Sequence, residues 1–142
     1  DDVLKKERHL GFEIRTLNNC VKRFMESTKP EEFDKSTGVH GWAVRFFYEN
    51  RDRDIFQRDF EARFSIRRST ATNMLKLMEK NGIITREPVD YDEKAVELHK
   101  KAEKNIERSE KILKNGISDD ELAIFYKVAD KIKNNLEEEN KC

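Results

Sequence analysis

Between Arg67 and Lys80 the polar side chains other than Glu79 are small hydroxyls, one amide and cations: Arg67, Arg68, Ser69, Thr70, Thr72, Asn73, Lys76 and Lys80. That set suits the floor of a DNA major groove. Small residues let a helix backbone approach the base edges, an asparagine amide can pair with adenine, a guanidinium with guanine, and a threonine methyl can pack on the thymine methyl. Acids would face phosphates there, and the stretch holds none before Glu79. Ile66, Ala71, Met74, Leu75 and Met78 recur at helical spacing and can form an inward face. One layer of a structural helical hairpin is the competing reading of the same residues.

Charge along the chain favours the first reading. The 142 residues carry 29 basic and 29 acidic side chains, which argues against a general polyanion binder. Residues 63–86, however, hold Arg63, Arg67, Arg68, Lys76, Lys80 and Arg86 against Glu79 alone. Net acidic stretches flank them on both sides. A basic segment between acidic ones is the sequence footprint of a local phosphate-contacting patch.

The elements that would position this helix follow from periodicity. Residues 3–27 read as one helix, with Leu10, Ile14, Leu17, Val21 and Phe24 on a single face. Pro30 forbids its continuation. Gly38 and Gly41 bracket the start of a second helix bearing Val39, Trp42, Ala43, Phe46 and Phe47. After a polar connector, Asp54 with Gln57 is a plausible N-cap pair for a short helix over 55–63. Phe64-Ser65-Ile66 interrupts it, and the next helix spans 67–81 and stops at Gly82. Ile83 to Glu87 is β-branched and bounded by Pro88, a short strand. From Asp92 a helical rhythm returns as far as Gly116, and Ser118-Asp119-Asp120-Glu121 reads as a capping box. That box opens a final helix striped by Leu122, Phe125, Val128, Ile132 and Leu136.

Two short helices joined by a brief turn and followed by a strand make a helix-turn-helix with a wing. The expected fold is thus mainly α with a small β-wing, a winged helix-turn-helix plus long dimerisation helices. Three segments are expected: residues 1–30 as an N-terminal dimerisation helix, 38–92 as the DNA-binding unit, and 93–142 as C-terminal dimerisation helices.

The stretch DFEARFSIRRSTATNMLKLMEKNGIITREPVDYD resembles the MarR (multiple antibiotic resistance regulator) family of bacterial winged-helix regulators. The matching features are Asp59-Phe60, Ser65 at the turn, Arg67-Arg68-Ser69-Thr70-Ala71-Thr72, Met78-Glu79-Lys80-Asn81-Gly82, and Ile83 to Glu87. Two departures stand out. Arg67 occupies a place where the family usually has serine, removing a favoured N-cap. A return strand also needs roughly eight to ten residues, yet Asp92 runs directly into the helical pattern at Glu93. A truncated wing and a segment absent from the sequence at that point are the two explanations.

The resemblance implies a homodimer built from the first, fifth and sixth helices, with Leu10, Ile14, Leu17, Leu122, Phe125 and Ile132 in its interface. It further implies a transcription regulator, repressor by default, on a pseudo-palindromic operator of double-stranded DNA. Ser69, Thr70, Thr72 and Asn73 would enter the major groove, and Arg67, Arg68, Lys76 and Arg86 would contact phosphates or a groove edge. A small-molecule effector is a further implied partner, near Trp42, Phe46 and Phe47, although aromatics at that spacing also suit plain core packing. A winged-helix module that binds protein in place of DNA is the alternative function.

Other classes find little support. There is no phosphate-binding glycine loop and no nucleophile with a base in a recognisable motif, so the chain is not read as an enzyme. His9, His40 and His99 lack metal-ligand spacing, and neither metal nor cofactor is expected. His99, on a charged helix, is expected at the surface. Two cysteines make no disulfide framework. No signal peptide is read, and no apolar run is long enough for a membrane, so a cytoplasmic location is expected.

Overall fold

The computed structural model describes residues 7–28, 41–82, 84 and 93–140. Six helices occur among them: α1 (Leu10–Ser27), α2 (Gly41–Glu49), α3 (Gln57–Phe64), α4 (Arg68–Lys80), α5 (Glu93–Leu113) and α6 (Asp119–Glu139). No strand occurs among the described residues. Most of the segment expected as a wing, including Arg86, lies outside them, as do His40 and Val39. Ile84 is described and packs against the core. The chain divides into two compact units, residues 1–107 and 108–142, with the division inside α5.

Helix α1 starts later than periodicity alone predicts. His9 is extended (φ −120°, ψ 133°) and Leu10 is the first helical residue. Starting at Leu10 puts Glu13 in the first turn, where the helix dipole favours an anion, and leaves Arg8 outside it. Arg8 then pairs back onto the Glu13 carboxylate. No residue of α1 is buried; Leu10, Ile14 and Leu17 are all exposed, Leu10 by 61%.

The core of the first unit is aromatic. Phe60 of α3 has no accessible surface. Its ring centroid lies 5.1 Å from that of Phe47, 6.0 Å from Phe46 and 4.8 Å from Phe64. Phe46 meets both Phe47 and Phe64 edge to face, the arrangement that ring quadrupoles favour. Ala43 and Val44 of α2, Ala71 and Met78 of α4 and Ala102 of α5 complete the buried cluster. Phe46 and Phe47 pack against this core, as one of the two readings of their spacing had it, whereas Trp42 is exposed.

The turn between α3 and α4 is tightly specified. Ser65 adopts the left-handed conformation (φ 53°, ψ 46°). Its N–H donates to Ala62 O and the Ile66 N–H donates to Glu61 O, the paired bonds of a Schellman ending. At the other end, the expected Asp54 cap is replaced. Phe56 precedes the helix, and its N–H donates to Asp59 Oδ2 at 2.9 Å. An anion three residues into α3 serves both that N–H and the dipole. Gln57, thus relieved of capping, becomes the first residue of the helix.

A second anchor joins α2 to α5. Ala102 Cβ stands 3.4 Å from where a Cβ on Gly41 would be, so the glycine permits close approach. At the far end of α2 the Tyr48 ring stacks on His99 at 3.8 Å, nearly parallel. The Arg51 guanidinium lies 4.0 Å from the centre of the same ring. Two groups that near cannot share one face, so Tyr48 is sandwiched between them. His99 is buried, contrary to its expected surface position; a histidine on a largely polar helix carries no sequence sign that a tyrosine covers it. Its Nδ1 is enclosed with no hydrogen-bond partner, and Nε2 faces Glu103 Oε2 at 3.6 Å.

Helix α6, in the second unit, has the capping box read from its sequence. Ser118 Oγ accepts from Glu121 N–H, and Glu121 Oε1 accepts from Ser118 N–H. Hydrogen bonding to the carboxylate from the Ser118 backbone N–H, and then from the Ser118 side chain, holds the Glu121 carboxyl below the usual range. Phe125 is 55% exposed, and Leu122 and Ile132 are half-buried.

Two measurements test this packing. Phe60→Ala is expected to cost about 3–5 kcal/mol in urea unfolding, whereas Phe56→Ala, at an exposed ring, should cost far less. Burial lowers the His99 pKa, assisted by Arg45 and Arg51 and opposed by Glu103 and Glu49. An unfolded imidazole titrates near 6.5, so the unfolded chain takes up that proton first as pH falls. The contribution of His99 is complete above about pH 6.5 and is lost as pH drops toward its folded value. NMR should place its titration midpoint below 6.5, and His99→Phe should lessen the loss of stability between about pH 7 and 5.

Candidate nucleic-acid interface

Helix α4 divides cleanly by face. Ala71 and Met78 are fully buried, and Met74 and Leu75 pack partly against the same core. At about 100° per residue, Ser69, Asn73, Lys76 and Lys80 lie on the opposite side, and all four are exposed. Arg67, Arg68 and Thr70 are exposed as well. The inward anchors fix the rotation of the helix, so this polar strip is held outward by the core.

Thr72 sits on the flank between the two faces and is half-buried. Its Oγ1 accepts a hydrogen bond of 2.9 Å from Gln57 Nε2 on α3. The same nitrogen lies 3.4 Å from Arg68 O in the first turn of α4. Gln57 is a site residue that the sequence does not reveal, because its partner is 15 positions away. Lys80 is the other addition. It was visible as part of the basic run, but its place beside Asn73 and Lys76 depends on the helical rotation that packing sets.

Arg67 precedes α4 in extended conformation (φ −79°, ψ 159°), and its side chain does not cap the helix. Uncapped first-turn amides together with the helix dipole favour an anion at that end. The first turn contains no acid. At the other end, Gly82 at φ 71° ends the helix, and its N–H donates to Glu79 O. The strip therefore combines hydrogen-bonding side chains at its centre, cations at Arg67, Arg68, Lys76 and Lys80, and a positive dipole end. Arg86 cannot be placed in it, since it lies outside the described residues.

Among the described residues no group of three or more histidine, cysteine or acidic side chains is arranged to hold a metal ion. None of the described helices is long and apolar enough to cross a membrane.

The pattern of the MarR family matches residues 51–96, the span that holds α3, the turn and α4. No curated protein sequence matches the chain. Among solved structures, the chain is similar to the crystal structure of the heme sensor protein PefR in complex with heme and carbon monoxide. The TM-score is 0.59 with 22% identity, over 94% of this chain and 99% of that one. PefR from Streptococcus agalactiae in complex with heme gives a TM-score of 0.58, also at 22% identity, over 91% and 95% of the two chains. At that identity the likeness speaks for a shared fold.

Proposed function

We infer, from a chain whose residues 51–96 are of the MarR family, that it is a sequence-specific regulator of transcription binding double-stranded DNA as a homodimer. The observation that carries this reading is the outward strip of α4. Ser69, Asn73, Lys76 and Lys80 are exposed together while Ala71 and Met78 pin the helix from behind. Each subunit sets α4 in a major groove, with Ser69, Thr70, Thr72 and Asn73 toward the base edges. Arg67, Arg68, Lys76 and Arg86 meet phosphates or a groove edge.

The dimer brings two α4 helices to half-sites about one helical turn apart. Support comes from the apolar side chains left open in the chain: Leu10, Ile14 and Leu17 on α1 and Phe125 on α6, with Leu122 and Ile132 half-buried beside it. Residues 1–30 and 93–142 act as the dimerisation segments. Binding at an operator blocks polymerase, so the regulator is a repressor. A small-molecule effector acts through the helices outside the reading unit.

Heme, which the PefR structures contain, is not assigned to this chain. Of the described histidines, His99 has one nitrogen enclosed and the other facing Glu103. His9 Nε2 faces Glu7 on the exposed lead into α1.

Selection from a randomised duplex pool at two salt concentrations tests the reading. A palindromic site should be enriched, and affinity should fall steeply with salt through counterion release. Asn73→Ala should relax base choice at one position per half-site. Arg68→Ala and Lys76→Ala should weaken binding evenly across sequences, each reducing the salt slope by about 1. Absence of enrichment at either salt would move the function to a winged-helix module for protein partners. Sedimentation at micromolar concentration should show a dimer; a stable monomer would remove the two-half-site arrangement.

A further inference from the structure

We propose that Gln57 is a positioning residue for base readout: its carboxamide holds the Thr72 hydroxyl so that Thr72 meets the groove as a hydrogen-bond donor. The inference rests on the DNA-reading function proposed above and assigns a direction to one of its contacts.

The orientation of the amide is decided by its surroundings. Nε2 stands 2.9 Å from Thr72 Oγ1 and 3.4 Å from Arg68 O. A backbone carbonyl can only accept, so the amide atom facing Arg68 O must be the nitrogen; the reverse flip would set two acceptor oxygens against each other. An NH2 group has two hydrogens, and the two acceptors are placed to take one each. Thr72 Oγ1 is therefore an acceptor toward α3.

A hydroxyl has one hydrogen and two lone pairs. With a lone pair engaged by Gln57, and no other hydrogen bond to Thr72 among the described residues, the hydrogen is left to point away from α3. At about 100° per residue Thr72 falls roughly 40° from Lys76 on one side and from Arg68 on the other; Gln57 reaches to Arg68 O, so away from α3 is toward Lys76 and the groove strip. A donor there selects bases that offer acceptors in the major groove: guanine N7 and O6, adenine N7 or thymine O4. It disfavours the cytosine amino group. Gln57 also ties the start of α3 to the first turn of α4, so the same side chain sets both the hydroxyl and the backbone beneath it.

The experiment is selection from a randomised duplex pool with the full chain, comparing wild type, Gln57→Ala, Gln57→Glu, Thr72→Val, Thr72→Ser and the two Gln57 changes in the Thr72→Val background. A carboxylate accepts only, so Gln57→Glu draws the Thr72 hydrogen toward α3 and turns lone pairs to the groove. Gln57→Ala is expected to reduce discrimination at one position of each half-site by about threefold to tenfold. Gln57→Glu should shift that position toward bases bearing an amino donor. Thr72→Val should abolish the preference there, and neither Gln57 change should alter base choice further in its background; Thr72→Ser should retain it. A purely structural Gln57 would lower the melting temperature and the affinity for every sequence alike, and that pattern overturns the proposal. Enrichment by wild type with an unchanged profile in both Gln57 variants overturns it while leaving the DNA-reading function intact. Failure of wild type to enrich any sequence overturns both.

Discussion

The packing around Phe60 sets the constraint on which the reading surface depends. A ring with no accessible surface, enclosed by Phe46 and Phe47 from α2 and Phe64 from its own helix, fixes α3 against α2. The same cluster takes in Ala71 and Met78, and these set the rotation of α4. Since protein interiors are close-packed, a change of volume here is transmitted as a shift of the helices. The polar strip on α4 is therefore placed by side chains that face away from it.

Local backbone geometry does the remaining positioning. Ser65 occupies a left-handed conformation that costs a residue with a Cβ on the order of 1 kcal/mol. Two carbonyls of α3 are satisfied in return, and the chain turns sharply enough to send α4 back across α3. Asp59 serves the Phe56 N–H, which leaves Gln57 available to span the two helices. Turn, cap and inter-helix bond are consequences of one short stretch of sequence and would be hard to alter separately.

Away from the strip, the Tyr48–His99 stack gives α2 and α5 a shared contact whose partners include charged groups on both helices. A buried imidazole with an unpartnered nitrogen is a costly thing to place in a core. Here it is compensated in part by the aromatic face of Tyr48, itself covered by Arg51 on the other side.

Much of this was legible in the order of residues. The helix-turn-helix, the stop at Gly82, the α6 capping box at Ser118 and the chemistry of Ser69, Asn73 and Lys76 all depend on neighbours within a few positions, and local spacing carries such information directly. The MarR likeness is likewise a local pattern, residues 51–96. Three features were decided only by tertiary structure. Gln57 reads as a cap partner until α4 folds back beside it, His99 reads as a surface residue until Tyr48 covers it, and Trp42 reads with Phe46 and Phe47 as one aromatic group until those two rings pack against Phe60 and leave Trp42 exposed. The physical reason is common to all three. Periodicity states which side chains share a face, but which face meets which, and which polar atom finds its partner across the gap, is settled by contacts between residues far apart in the chain.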